Sequence, residues 1–223
     1  MNSTLACLRL DFYTIKPYRR SLYLLLGLGF VIGFVFNKSV STFSSVLMMG
    51  LVIITSYPFS IGDKYGLDIF YATLSVNRRD VVTGRYLFVI CLELIGIGFV
   101  SLMVWLLNRL FAAGIPFSEV MLTLSVLIAV NSVMTAFQYP IFFRLGYARS
   151  KAYSYIPFVL VFVVIGMLPT IMKTFRWSVD WAAVGQFLEA KPFLLIGVSA
   201  ATGLLALAVS WLLSVKFYEE RDL

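Results

Sequence analysis

Glu93 is the side chain with the most chemistry to offer, because it stands well inside the apolar run LFVICLELIGIGFV. An acid at that depth is costly unless it faces a bundle interior or a water-filled path, which makes it a candidate substrate or proton site. It also lies only about two turns from Arg85, so a snorkelling or hydrogen-bonded structural acid is an equal reading. Asn131, Thr135 and Gln138 recur at i, i+4 and i+7 and share one helical face. There they either bond to neighbouring helices or line a cavity, and with Glu93 they are the candidates for a translocation path. The 223 residues include no histidine. Intramembrane serine proteases of the rhomboid type and metalloproteases with a His-Glu-x-x-His motif need imidazole, so both are excluded. No Gly-x-x-x-x-Gly-Lys-[Ser/Thr] phosphate loop is present either, so ATP is not hydrolysed here by that route. No catalytic, metal-binding or cofactor-binding residue is expected. Cys7 and Cys91 fall in a probable surface helix and an apolar segment, and both read as free thiols.

The chain that must position these groups is 61% hydrophobic and 13% charged, with a mean hydropathy of +0.92. That composition is an integral membrane protein's. Its net charge of +7 belongs to loops on the cytoplasmic side rather than to a nucleic-acid-binding face, so no nucleic acid partner is expected. The basic residues divide unevenly. Arg9, Lys16, Arg19, Arg20, Lys64, Arg78, Arg79, Arg85, Arg144, Arg149, Lys151, Lys216 and Arg221 fall on one side, and Lys38, Arg109, Lys173, Arg176 and Lys191 on the other. This bias places both termini in the cytoplasm of a multi-pass chain.

The expected fold is all-α: one membrane domain with six transmembrane helices at 21–36, 40–61, 86–107, 119–143, 153–172 and 192–215. Residues 1–20 precede them as an amphipathic interfacial helix, with Leu5, Leu8, Phe12 and Ile15 as its apolar stripe, ending near Lys16 because of Pro17. Gly29 and Gly33 form a GxxxG pair suited to close helix approach. Tyr57-Pro58-Phe59 marks a kink or exit at the membrane surface. Between the fifth and sixth spans, Trp177, Trp181 and Phe187 favour a short re-entrant or surface helix on the outer side.

Residues 59–86, FSIGDKYGLDIFYATLSVNRRDVVTGRY, are the long polar interruption of the apolar first half. Asp63 is placed to cap a short helix carrying Tyr65, Ile69, Phe70, Thr73 and Leu74; Asn77, with Asp80 three residues on, forms a variant capping box that opens a second helix. Asp63-Lys64, the run from Tyr71 to Val82 and Gly84-Arg85-Tyr86-Leu87 resemble the loop between the second and third membrane helices of bacterial ATP-binding-cassette type 2 permeases. Ser75 stands where many relatives have Pro, and Asn77 where they have Ser. An ordinary basic cytoplasmic loop is the plainer reading of the same residues.

The resemblance implies a cytoplasmic coupling region at 62–85 that docks on a separate ATPase subunit. The residues it assigns to coupling are Asp63, Tyr65, Asp68, Ile69, Phe70, Arg78, Arg79 and Arg85. It further implies a non-catalytic permease subunit in the bacterial plasma membrane, surrounded by lipid and paired with a second permease chain, with ATP and Mg on the ATPase. By similarity to the permeases of phenol-soluble-modulin and lantibiotic systems, within the type V exporter-like group, the cargo is an amphipathic or antimicrobial peptide. Two alternatives belong to other classes: the substrate-binding membrane component of a vitamin uptake system, and a proton-coupled secondary carrier using Glu93.

Overall fold

In the computed structural model, residues 3–36, 39–73, 76–111, 113–157 and 190–221 are described, with isolated positions between 159 and 186. Every regular element among them is helical. In chain order these are α1 (Ser3–Ile15), a 3-10 turn (Lys16–Tyr18), α2 (Arg19–Phe30) continued as a π-helix (Val31–Phe36), α3 (Val40–Tyr65), α4 (Leu67–Thr73), α5 (Arg78–Phe111), α6 (Phe117–Leu145), α7 (Tyr147–Ser150), a 3-10 turn (Tyr153–Tyr155) and α8 (Pro192–Glu219).

Four helices are long and apolar enough to cross a membrane, namely Val40–Tyr65, Arg78–Leu110, Phe117–Leu145 and Pro192–Glu219. A shorter apolar stretch, Tyr23–Phe34, occupies most of the expected first span. Beyond Tyr155 the expected fifth span is described only at isolated positions, and Trp177, Trp181 and Phe187 lie outside the described residues.

Local signals account for the helix ends. The Ser39 hydroxyl accepts from the Thr42 N–H at 3.4 Å to cap α3, and Asn77 Oδ1 accepts from the Arg79 N–H at 3.1 Å at the start of α5. The second half of the expected capping box does not form: Asp80 turns away and accepts from the hydroxyls of Ser3 and Thr4, the latter at 2.9 Å. An acid is thereby placed at the N-terminus of α1, where the helix dipole favours it. Pro58 does not end α3, which runs on to Tyr65. The turn that carries Pro58 is buttressed from α6 instead, by the Tyr139 hydroxyl donating to the Thr55 carbonyl at 3.0 Å. α3 stops at Gly66, whose φ of +66° is a left-handed cap that other residues resist.

Tight contacts then assemble the bundle. A Cβ on Gly33 would stand 2.6 Å from the Phe43 Cβ, and one on Gly29 3.2 Å from Val46, so the GxxxG pair receives α3. A Cβ on Gly84 would stand 2.8 Å from the Cys7 Cβ, so this glycine lets α1 lie directly on α5. The stripe that α1 buries is Cys7, Asp11 and Ile15. It is offset from the expected Leu5, Leu8, Phe12 and Ile15: Leu5 is exposed, and Phe12 packs edge-on against Phe88 at 5.0 Å from the rim of the contact. An aromatic cluster of Phe59, Tyr86, Tyr139, Phe142, Phe143 and Tyr218 locks α3, α5, α6 and α8 together at their basic ends.

Candidate functional site

The basic end of the bundle is built from the last turns of α3, α4, the first turns of α5, the α6–α7 corner and the end of α8. Asp63 does not cap α4, because α3 extends past it; its carboxylate instead accepts from the Ala148 N–H at 2.7 Å and so ties α3 to α7. Tyr65 and Phe70 are 68% and 51% exposed, on either side of the Gly66 break. Tyr71, on the same short helix, is buried in the aromatic cluster and anchors it. Asp68 and Ile69 belong to α4 by backbone, and their side chains lie outside the described residues.

Arg78 is engaged inside the chain. Its Nη1 donates to the carbonyls of Tyr218, Glu219 and Arg221 at 2.7, 2.9 and 2.8 Å. These carbonyls include the ones a helix C-terminus leaves without partners, and a cation there also suits the dipole. Arg79 pairs with Glu219 at 3.2 Å, with both side chains largely in solvent. Arg85 is 3% exposed, its guanidinium 4.0 Å from the centre of the Phe59 ring and 5.3 Å from that of Phe143. A side chain enclosed in this way packs the basic end together from inside rather than displaying its charge on the surface.

Arg85 faces an acid that the periodicity of α1 had left on the surface. Asp11 is 2% exposed and its Oδ2 has no hydrogen-bond partner among the described residues. Burial pushes its carboxyl up from an ordinary 3.8 to about 7, against the pull of Arg85. The same burial, with Asp11 one turn away, raises the Cys7 thiol to about 11 and keeps it a protonated, unreactive core group.

Glu93 sits some 15 residues into α5, about 22 Å along its axis. It is 7% exposed, and Oε1 accepts from Asn131 Nδ2 at 2.7 Å and from the Ser132 hydroxyl at 2.8 Å. Ser132 is in turn enclosed by α8, where a Cβ on Gly203 would stand 2.8 Å from its Oγ. Thr135 and Gln138 are buried further along α6 and do not join this group. The Gln138 amide donates to the Ser154 carbonyl at 3.3 Å and borders a cavity of about 410 Å³ walled by Met49, Val52, Ile53 and Phe142. The expected polar face of α6 is therefore divided: its first member binds α5, and its last faces a cavity. Ser132 was not among the expected site residues, since its place next to Asn131 carries no periodic signal. Among the described residues no cluster of Cys, Asp and Glu could hold a metal ion.

No curated protein and no solved structure matches the chain. The family described as ABC-2 family transporter protein matches it over residues 8–219. That match begins within α1 and ends on the last residue of α8, so it takes in the basic end as well as the spans, and the chain belongs to the ABC-2 transporter family.

Proposed function

We infer that the protein is the permease subunit of an ATP-binding-cassette exporter, working as a dimer and driven by a separate ATPase that docks on α4 from the cytoplasm. The observation that carries this reading is the pair of exposed aromatics, Tyr65 at the end of α3 and Phe70 on the short helix α4, displayed on either side of the Gly66 break at the basic end of the bundle. Large apolar rings held in water next to a cationic foot are the kind of anchor that fills a cleft on another protein. Asp68 and Ile69 belong to the same docking element. Arg78 and Arg79 set the position of that foot through α8, and Arg79 remains exposed enough to meet an acidic partner. ATP and Mg bind the ATPase, and this chain contributes no catalytic group. The resemblance supports the bacterial plasma membrane, and the charge bias supports both termini in the cytoplasm. An amphipathic or antimicrobial peptide is the proposed cargo, by similarity to the phenol-soluble-modulin and lantibiotic exporters.

The test is affinity purification of the tagged chain from native membranes in mild detergent, with mass spectrometry of what accompanies it. A stoichiometric chain with a phosphate loop is expected, and the Tyr65→Ala/Phe70→Ala double variant loses it while its melting temperature stays unchanged. A chain that purifies alone, or a variant that keeps its ATPase at wild-type yield, overturns the reading.

A further inference from the structure

A groove of about 650 Å³ opens between α1, α3 and α5. Its mouth carries Arg9 and Lys16, seven residues apart on one face of the α1 segment with Tyr13 between them. At helical rise their Cα atoms are about 10 Å apart along the axis. Neither has an ion-pair or hydrogen-bond partner among the described residues. Of the acids on or against α1, Asp11 is buried and Asp80 accepts from Ser3 and Thr4. The rest of the lining is mostly apolar: Phe12 and Ile15 from α1, Ile54 from α3 and Leu92 from α5, of which the last three belong to the apolar core of the bundle.

We propose that this groove is a binding site for one anionic phospholipid, its phosphate held between Arg9 and Lys16 and an acyl chain laid on Phe12, Ile54 and Leu92. The inference does not depend on the ATPase reading. It rests on a juxtaposition: two uncompensated cations line the same groove as the apolar side chains of Phe12, Ile15, Ile54 and Leu92. A soluble anion would satisfy the cations and leave the trough empty, and a zwitterionic lipid would fill the trough and leave the cations uncompensated. Only a ligand with a net negative head and a hydrocarbon tail answers both, and a membrane protein meets such molecules at the surface where its basic residues gather. Long basic side chains also reach such a head while their stems stay on apolar surface.

The experiment is native mass spectrometry of the full chain in detergent, titrated with dioleoyl phosphatidylglycerol or dioleoyl phosphatidylcholine. The wild type is expected to retain one phosphatidylglycerol in clear preference to phosphatidylcholine. Each basic residue near an anionic lipid surface contributes about fivefold, so Arg9→Gln/Lys16→Gln is expected to lower that preference by roughly 30-fold. Arg9→Lys/Lys16→Arg keeps it. Equal retention of the two lipids by the wild type overturns the proposal without recourse to any variant. So does a neutral double variant that holds phosphatidylglycerol as firmly as the wild type. Displacement of the bound lipid by millimolar glycerol 3-phosphate would instead assign the site to a free phosphate and overturn the lipid.

Discussion

Glu93 gathers two donors from α6 on one carboxylate oxygen, and the chemistry of that arrangement is available to an amide. Glu93→Gln keeps an acceptor for Asn131 and Ser132, so it is expected to retain both the melting temperature and transport. Glu93→Leu strands the Asn131 amide and the Ser132 hydroxyl in an apolar bundle, which costs on the order of 1–3 kcal/mol each. Thermal unfolding in detergent separates the two variants, and loss of transport in a well-folded Glu93→Gln would return the residue to proton chemistry. Asp11 makes the opposite kind of prediction, one in pH. Its folded value of about 7 lies above the unfolded 3.8, so the folded chain holds the extra proton between those values. Its contribution to stability is complete below about pH 4 and disappears as pH rises through 7. Melting curves between pH 5 and 8 are expected to show the wild type losing stability with pH, and Asp11→Asn losing less of it. Equal slopes would place the proton elsewhere. The two acids also differ in how legible they are. Glu93 announces itself by depth in an apolar run, whereas Asp11 looks like an ordinary surface charge until Gly84 draws α1 onto α5 and rotates the buried stripe to Cys7, Asp11 and Ile15.

At the level of elements, neighbouring arginines on the first turn of α5 have unequal duties. Arg78 satisfies three carbonyls at the end of α8, while Arg79 makes one exposed ion pair. Exposed pairs are worth about 0–1 kcal/mol. Arg79→Ala is therefore expected to leave the chain's stability nearly unchanged, and Arg78→Ala to fray the last turn of α8. Hydrogen exchange of the amides at 215–221 reads this directly: faster exchange in Arg78→Ala only is the expected result, and equal protection in both variants would remove the structural role of Arg78. The sequence places both arginines at the start of a helix, since Asn77 caps it. It carries no sign that the carbonyls of a helix some 140 residues later would need them, because backbone acceptors are the same at every position. Similarly, Asp63 reads as a cap from its place before a polar stretch, but Pro58 permits α3 to continue, and the αL residue Gly66 sets the break instead.

For the whole molecule, the long apolar helices, the basic end and the membership of the ABC-2 family were all readable from hydropathy and from residues 59–86. Such features are local, and local patterns survive in a linear text. The rotation of one helix against another is set by where small residues permit approach, as Gly84 and Gly203 do, and a single sequence does not mark which glycines are used. Sidedness is the global expectation most open to test. With Cys7 and Cys91 replaced by Ser, a cysteine introduced at Tyr65 stands at the basic end of α3 and one at Ala113 just past the far end of α5, so the two report opposite ends of the bundle. A membrane-impermeant maleimide added to intact cells is expected to label Ala113→Cys and not Tyr65→Cys; the reverse pattern would invert the topology.

The first turn of α5 also holds two distant parts of the chain at once: Asp80 binds Ser3 and Thr4, and Arg78 binds Tyr218 to Arg221. During synthesis, α1 therefore has to wait for a helix made some 77 residues later before its first turn is secured. That same helix then waits until α8 has been threaded before Arg78 finds its carbonyls. A chain halted after α5 and before α8 therefore has α1 docked through Asp80 but leaves Arg78 without its carbonyls. The two contacts together make the arrival of α8 a condition for closing the bundle, and an unoccupied Arg78 at the basic end is a simple mark of a chain in which α8 has not yet docked.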